Sequence, residues 1–211
     1  MSHSLHRFGT REDLKNDFCI YARCAKGVNR DHPGDKLRKI LSIYQTEDFV
    51  NFGSAHAGKC YLDGLDAEQY AKSLDSAYGM IVNFYKKSSV ENILCKIRDA
   101  QLGISIVVSG LIDEVVDIAH RCGLKPHTAT LSLGIYGNTA LLPKDETLKI
   151  TTMCGHSLIG NHLVESVCDR VRLSKLTPED AALLLAKPCV CGIFNTVRCA
   201  ELIRCQIESQ K

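Results

Sequence analysis

Residues 103 to 134 combine two strand-like runs and a helix in a way that few folds accommodate. Gly103-Ile-Ser-Ile-Val-Val-Ser-Gly110 is a β-branched run bounded by glycines, and Leu111 to Cys122 has helical periodicity and closes on Gly123. His127-Thr-Ala-Thr-Leu-Ser-Leu-Gly134 then reads as a second strand. Strand, helix and strand with short connections make a βαβ unit, hence two parallel strands and a right-handed crossover. The expectation is an α/β protein with a βαβ-containing core sheet.

Upstream, Asp17 to Cys24 reads as a buried strand, followed by a Gly/Asn/Pro-marked loop and a helix built on Leu37, Ile40, Leu41 and Tyr44. Residues 47 to 65, punctuated by Gly53, Gly58 and Gly64, are expected to be irregular or a small hairpin. Asp66 to about Lys87 reads as a helix broken near Gly79, and a further helix runs from Val90 to about Leu102. The C-terminal third reads as mainly helical, in segments near 146–151, 157–173, 178–186 and 195–207. Thr177-Pro-Glu-Asp180 carries a helix entry, with Thr as cap and Pro at the first helical position. With no repeat and no long linker, residues 1–211 are expected to form one domain. In it, 1–140 make the α/β core and 141–211 a helical, cysteine-bearing segment, while the polar first fifteen residues are loosely held.

A chain of 211 residues can bury a core without cross-links. Its 26 basic and 24 acidic residues leave no charge footprint for nucleic acid or an anionic membrane, and no segment approaches a membrane span. The N-terminus has no apolar leader, so the expected location is cytoplasmic. In that reducing compartment the eleven cysteines, an odd number, would be free or metal-bound. Cys95, Cys122, Cys168 and Cys205 lie within helical patterns and read as packing residues.

Two turns concentrate the chemistry. Ile150-Thr-Thr-Met-Cys-Gly-His156 and Lys187-Pro-Cys-Val-Cys-Gly192 each present thiols on a short bend that leads into a helix, where backbone N–H groups favour thiolates. Cys154, Cys189 and Cys191 are therefore candidate ligands. Three thiolates can hold a [4Fe-4S] cluster with one iron open as a Lewis acid. The leading expectation is an iron–sulfur enzyme of the lyase, hydratase or desulfidase type acting on a small anionic substrate. His156 would serve as acid/base, and Lys26 or Arg198 as the anion contact. Loops carrying Lys26, Asn29 and Arg30, Ser109-Gly110, and Tyr136 with Asn138 would line the carboxyl edge of a parallel sheet near this centre.

Other readings use the same residues. Cys199 as a fourth ligand would give an electron-transfer or structural cluster, and His156 with the three cysteines would give a Cys3His zinc site. Cys154 with His156 could act as an activated nucleophile. In the blandest reading the cysteines only pack, and the chain is a binding module without metal.

Overall fold

The structure, a computed structural model, describes residues 7–54 and 59–209. A short helix, α1 (Arg11–Leu14), is capped by Thr10, which exchanges hydrogen bonds with Asp13. Then follow β1 (Phe18–Arg23), α2 (Gly34–Tyr44), β2 (Phe49–Ser54), β3 (Lys59–Cys60) and α3 (Ala67–Ser73). Next come β4 (Gly79–Phe84), α4 (Lys87–Ala100), β5 (Ser105–Ser109) and α5 (Ile112–Arg121). The C-terminal third holds α6 (Asp145–Thr151), α7 (Asn161–Arg172), α8 (Pro178–Ala186) and α9 (Thr196–Glu208).

The sheet order is β3-β2-β4-β1-β5, and every paired neighbour is antiparallel. Because β1 and β2 both run against β4, they are parallel to each other with β4 between them, and α2 joins them. By the same logic β4 and β5 flank β1 and are joined by α4. The core is thus two interleaved split βαβ units, the connectivity of ferredoxin-like sandwiches. The mixed α/β class holds, and the sheet contains βαβ units only in this split form.

The unit expected at 103–134 is not one of them. Its first strand is β5 and its helix is α5, closed by Gly123 at φ +67°. The second strand does not form: residues 125–142 are exposed throughout, with Leu133 at 86% and Tyr136 at 83%. Alternation of leucine with Thr and Ser marks a capacity for strand, but a strand exists only where another chain segment supplies its hydrogen bonds. Among the described residues no strand pairs with this segment.

The break near Gly79 is a second correction. Gly79-Met-Ile-Val-Asn-Phe84 is a central strand, burying Met80, Val82 and Phe84 on one face and Ile81 and Asn83 on the other. A strand buried on both faces has a continuous apolar run, and periodicity alone does not separate such a run from a buried helix. The 47–65 region is a hairpin, with Gly53 opposite Cys60; its turn, 55–58, lies outside the described residues.

Two cores flank the sheet. On one face Phe18, Ile20, Ala22, Phe52, Val82 and Phe84 pack on Leu37 and Ile40 of α2 and on Val90 and Ile93 of α4. On the other, Cys19 and Ile81 meet Ile150 of α6, Val164 and Val167 of α7, Leu185 of α8 and Ile203 of α9. Each fully buried aliphatic side chain stabilises the fold by roughly 1.5–3 kcal/mol, so the helical third is held to the sheet by its own apolar stripe.

Arg198 on α9 and the N-terminal segment also depart from expectation. The Arg198 guanidinium is 1% exposed, 3.0 Å from Asp17 Oδ2 and 2.6 Å from Asp13 Oδ1, and donates to the Phe8 carbonyl. Arg7 closes on the other carboxylate oxygen of Asp17, to which Asn195 Nδ2 also donates at 2.9 Å. A buried carboxylate is tolerated only when paired and hydrogen-bonded. This network therefore commits Arg198 to tying the N-terminal segment to α9, and the segment from Arg7 onward is held rather than loose; residues 1–6 are outside the described range.

Candidate metal centre

Both cysteine turns lie on the sheet face covered by the C-terminal helices. The first follows α6: Met153 N and Cys154 N donate to Ile150 and Thr151 carbonyls, continuing the helix as a turn, and Ser157 adopts φ +56° as the chain swings toward α7. The second links α8 to α9. Cys189 N donates to Ala186 O at 2.9 Å and Gly192 N to Cys189 O at 3.0 Å, a tight reversal made possible by φ +73° at Gly192. That reversal sits directly on the Phe52-Gly53 backbone of β2. Cys19 of β1 points to the same face.

The turns bring the three expected sulfurs into sequence with the histidine. Cys154 is hydrogen-bonded to Cys189, Cys189 Sγ lies 3.9 Å from Cys191 Sγ, and Cys191 Sγ lies 3.7 Å from His156 Nδ1. All three cysteines are at least nine-tenths buried, while His156 is exposed. The Cys154 thiol is pushed far up by its bond to Cys189 and by burial. Cys189 is drawn down by Cys154, but its own bond to Cys191 and its burial carry it up to about 12. Cys191 is held below the usual thiol value by its bond to Cys189, aided by the Ile193 N–H.

Each sulfur also receives backbone N–H groups: His156 and Leu158 donate to Cys154, Phe194 to Cys189 and Ile193 to Cys191. Such bonds favour the thiolate form that a metal requires. Nearby, Arg7 donates to Cys19 Sγ at 3.1 Å and to the Ile193 carbonyl, and its charge interacts with Cys189. It braces the second turn and places a buried cation beside the thiols.

The spacings can be set beside those of a mononuclear site. Thiolates and imidazole at about 2.3 and 2.0–2.1 Å from one tetrahedral ion stand ~3.8 Å apart for sulfur–sulfur and ~3.6 Å for sulfur–nitrogen. The 3.9 and 3.7 Å spacings are close to those edges and are also ordinary contact distances for thiols. Ligands of a cubane sit on separate irons and diverge, so their sulfurs stand much further apart. Among the described residues, however, no group of three or more His, Cys, Asp or Glu side chains is placed to hold a metal ion. Cys189, Cys191 and His156 follow one another as neighbours without closing around a common point.

The other expected residues do not converge here. Lys26 is exposed in the loop beyond the far end of β1; the strand from Cys19 to Arg23 alone spans about 13 Å. Arg30 stacks over the Tyr78 ring at 3.3 Å, and Asn29 bridges Ala25 N–H and the Gly103 carbonyl. Tyr136 lies on the exposed 125–142 segment. Cys199 is fully buried on α9, its thiol pushed up by burial and by Cys168. The His156 ring lies 3.7 Å from Cys191 Sγ, and the thiol of the expected nucleophile Cys154 is raised by its bond to Cys189 and by burial. Cys19 and Arg7 are neighbours that sequence reading missed. Cys19 carried a usable signal, being one register step off the Phe18, Ile20, Ala22 face.

Beside the centre a cleft of about 420 Å3 is lined by Cys154, Gly155, Thr151, Thr152, Ile159 and Asn161 among others, with Cys154 itself only 2% exposed. No helix among the described residues is long and apolar enough to cross a membrane. No family model, curated protein or solved structure matches this chain.

Proposed function

We propose that this is a metal-binding protein whose centre is a single tetrahedral ion, zinc by ligand type, held by Cys154, Cys189, Cys191 and His156. The observation that carries the reading is the pair of spacings, 3.9 Å between Cys189 and Cys191 and 3.7 Å from Cys191 to His156, which suit two edges of one coordination tetrahedron. The N–H groups aimed at the sulfurs and the buried Arg7 cation support it, since three thiolates and one imidazole around Zn2+ leave a net charge of −1. A closed Cys3His set is structural: it would cross-link the turn after α6 to the turn before α9, so that binding energy becomes folding energy of the helical layer. His156, on the solvent side, is the ligand that would close the site.

The test is metal analysis of anaerobically purified protein, followed by cobalt replacement. One zinc per chain, and cobalt absorption of a tetrahedral thiolate site, are expected. Iron with acid-labile sulfide and a broad visible band would overturn this reading in favour of a cluster. Absence of binding at micromolar zinc would return the cysteines to packing.

A further inference from the structure

A second pair of thiols lies on the opposite side of the sheet, away from the metal centre. Cys95 is on the α4 helix and Cys122 caps the end of α5, 27 positions later, and their Sγ atoms are 2.7 Å apart. A disulfide bond is about 2.0 Å long, so roughly 0.7 Å of approach separates these thiols from a covalent bond. The seam around them is built to keep that register. Arg121 of α5 forks onto Glu91 of α4 through Nε and Nη2, at 2.9 and 2.8 Å. The Cys122 thiol donates to the carbonyl of the same Glu91 at 3.2 Å, and two turns along α4 Arg98 donates to the Cys122 carbonyl. Glu91, Cys95 and Arg98 follow i, i+4, i+7 spacing, so one face of α4 grips both flanks of the pair.

We propose that Cys95 and Cys122 are a thiol–disulfide exchange site, which takes small disulfides of the glutathione class and closes into a reversible cross-link between α4 and the end of α5. The Cys95 thiolate attacks one sulfur of the small disulfide, forming a mixed disulfide and expelling one small thiolate. Cys122 then attacks the Cys95 sulfur and expels the second. Two protein thiols are oxidised to one disulfide, the small disulfide is reduced to two thiols, and the two protein protons leave on those products. The order follows from access: Cys95 is partly exposed, whereas Cys122 is fully buried and burial pushes its thiol up to about 12. A buried second thiol still reacts once the first is modified, because the two sulfurs are already held together. In a reducing compartment such a pair reports on redox poise instead of serving as a permanent staple.

The experiment is incubation of the full-length protein across a range of oxidised to reduced glutathione ratios, quenching with N-ethylmaleimide and non-reducing peptide mass spectrometry. A Cys95–Cys122 cross-linked peptide is expected, growing with the ratio, abolished by dithiothreitol and absent in Cys95→Ser. In Cys122→Ser, Cys95 is expected to accumulate as the stable mixed disulfide. The oxidised wild type should melt above the reduced form, a difference lost in Cys95→Ser. Recovery of both wild-type thiols as maleimide adducts at every ratio would overturn the proposal, as would persistent glutathionylation of Cys95 that Cys122 leaves unresolved.

Discussion

Gly53 and Gly192 meet backbone to backbone. A Cβ on Gly192 would stand 2.2 Å from the Phe52 carbonyl carbon, and one on Gly53 would stand 2.5 Å from the Val190 carbonyl oxygen. This contact seats the Cys189–Cys191 turn on β2 and so decides where two of the three sulfurs of the candidate centre lie. Gly192 is doubly constrained, because its φ of +73° disfavours any side chain before space is considered.

Gly192→Ala should therefore destabilise the fold by on the order of 2–4 kcal/mol, combining left-handed strain with a backbone clash that no rotamer relieves. Urea unfolding followed by circular dichroism measures it. A loss under 1 kcal/mol would mean that the turn can lift off β2.

If the proposed zinc site is correct, Cys189→Ser and Cys191→Ser should each abolish stoichiometric zinc, because they remove a thiolate from the shared edge. His156→Ala should retain zinc with affinity weakened by about tenfold or more, water replacing an exposed ligand. Competition with a chromophoric chelator gives both results. Equal loss in all three variants would contradict the outer position of His156.

Asp17→Asn tests the buried ion network. Removing the charge leaves Arg7 and Arg198 facing a neutral amide, at a cost of about 3–5 kcal/mol. The pH dependence has a definite sign. Burial alone would raise Asp17, but Arg7 and Arg198 outweigh it and hold its folded pKa below the ordinary 3.8. Its stabilisation is thus fully present above the unfolded value and is lost as pH falls through the folded one. Wild type should lose stability more steeply than Asp17→Asn below about pH 4, as read from midpoints of acid titration series in urea.

Limited chymotryptic digestion should cut first within 125–142, after Leu131, Leu133 or Tyr136. Every residue of this stretch is exposed, and no strand partner protects its backbone. Sequencing of the first fragments locates the cut. Initial cleavage inside α7 or α9 would show that the helical layer opens before the exposed segment does.

Helix positions were readable wherever local chemistry is self-sufficient. Thr177 accepts from Asp180 N–H ahead of Pro178, Gly123 closes α5 with positive φ, and all four C-terminal helices lie near their expected spans. Strands fared differently. The β4 run 79–84 reads as the tail of a helix, whereas 127–134 reads as a strand and is none, because pairing depends on segments far away in the chain. At the candidate centre the three cysteines and His156 were legible from turn chemistry. The role of Lys26 depended on a parallel sheet edge that the fold does not possess, and Arg198 is buried against Asp13 and Asp17 instead.

By itself the sequence determined the kinds of local element and the two bends that present sulfur, since caps, glycines and prolines act over a few residues. Only the tertiary structure decided that the sheet is antiparallel between neighbours and that Arg198 is spent on Asp17. It also decided that Cys191 faces His156 and that Cys95 meets Cys122. Those outcomes depend on distances between residues remote in the chain, which are set by the packing of two helical layers on one sheet.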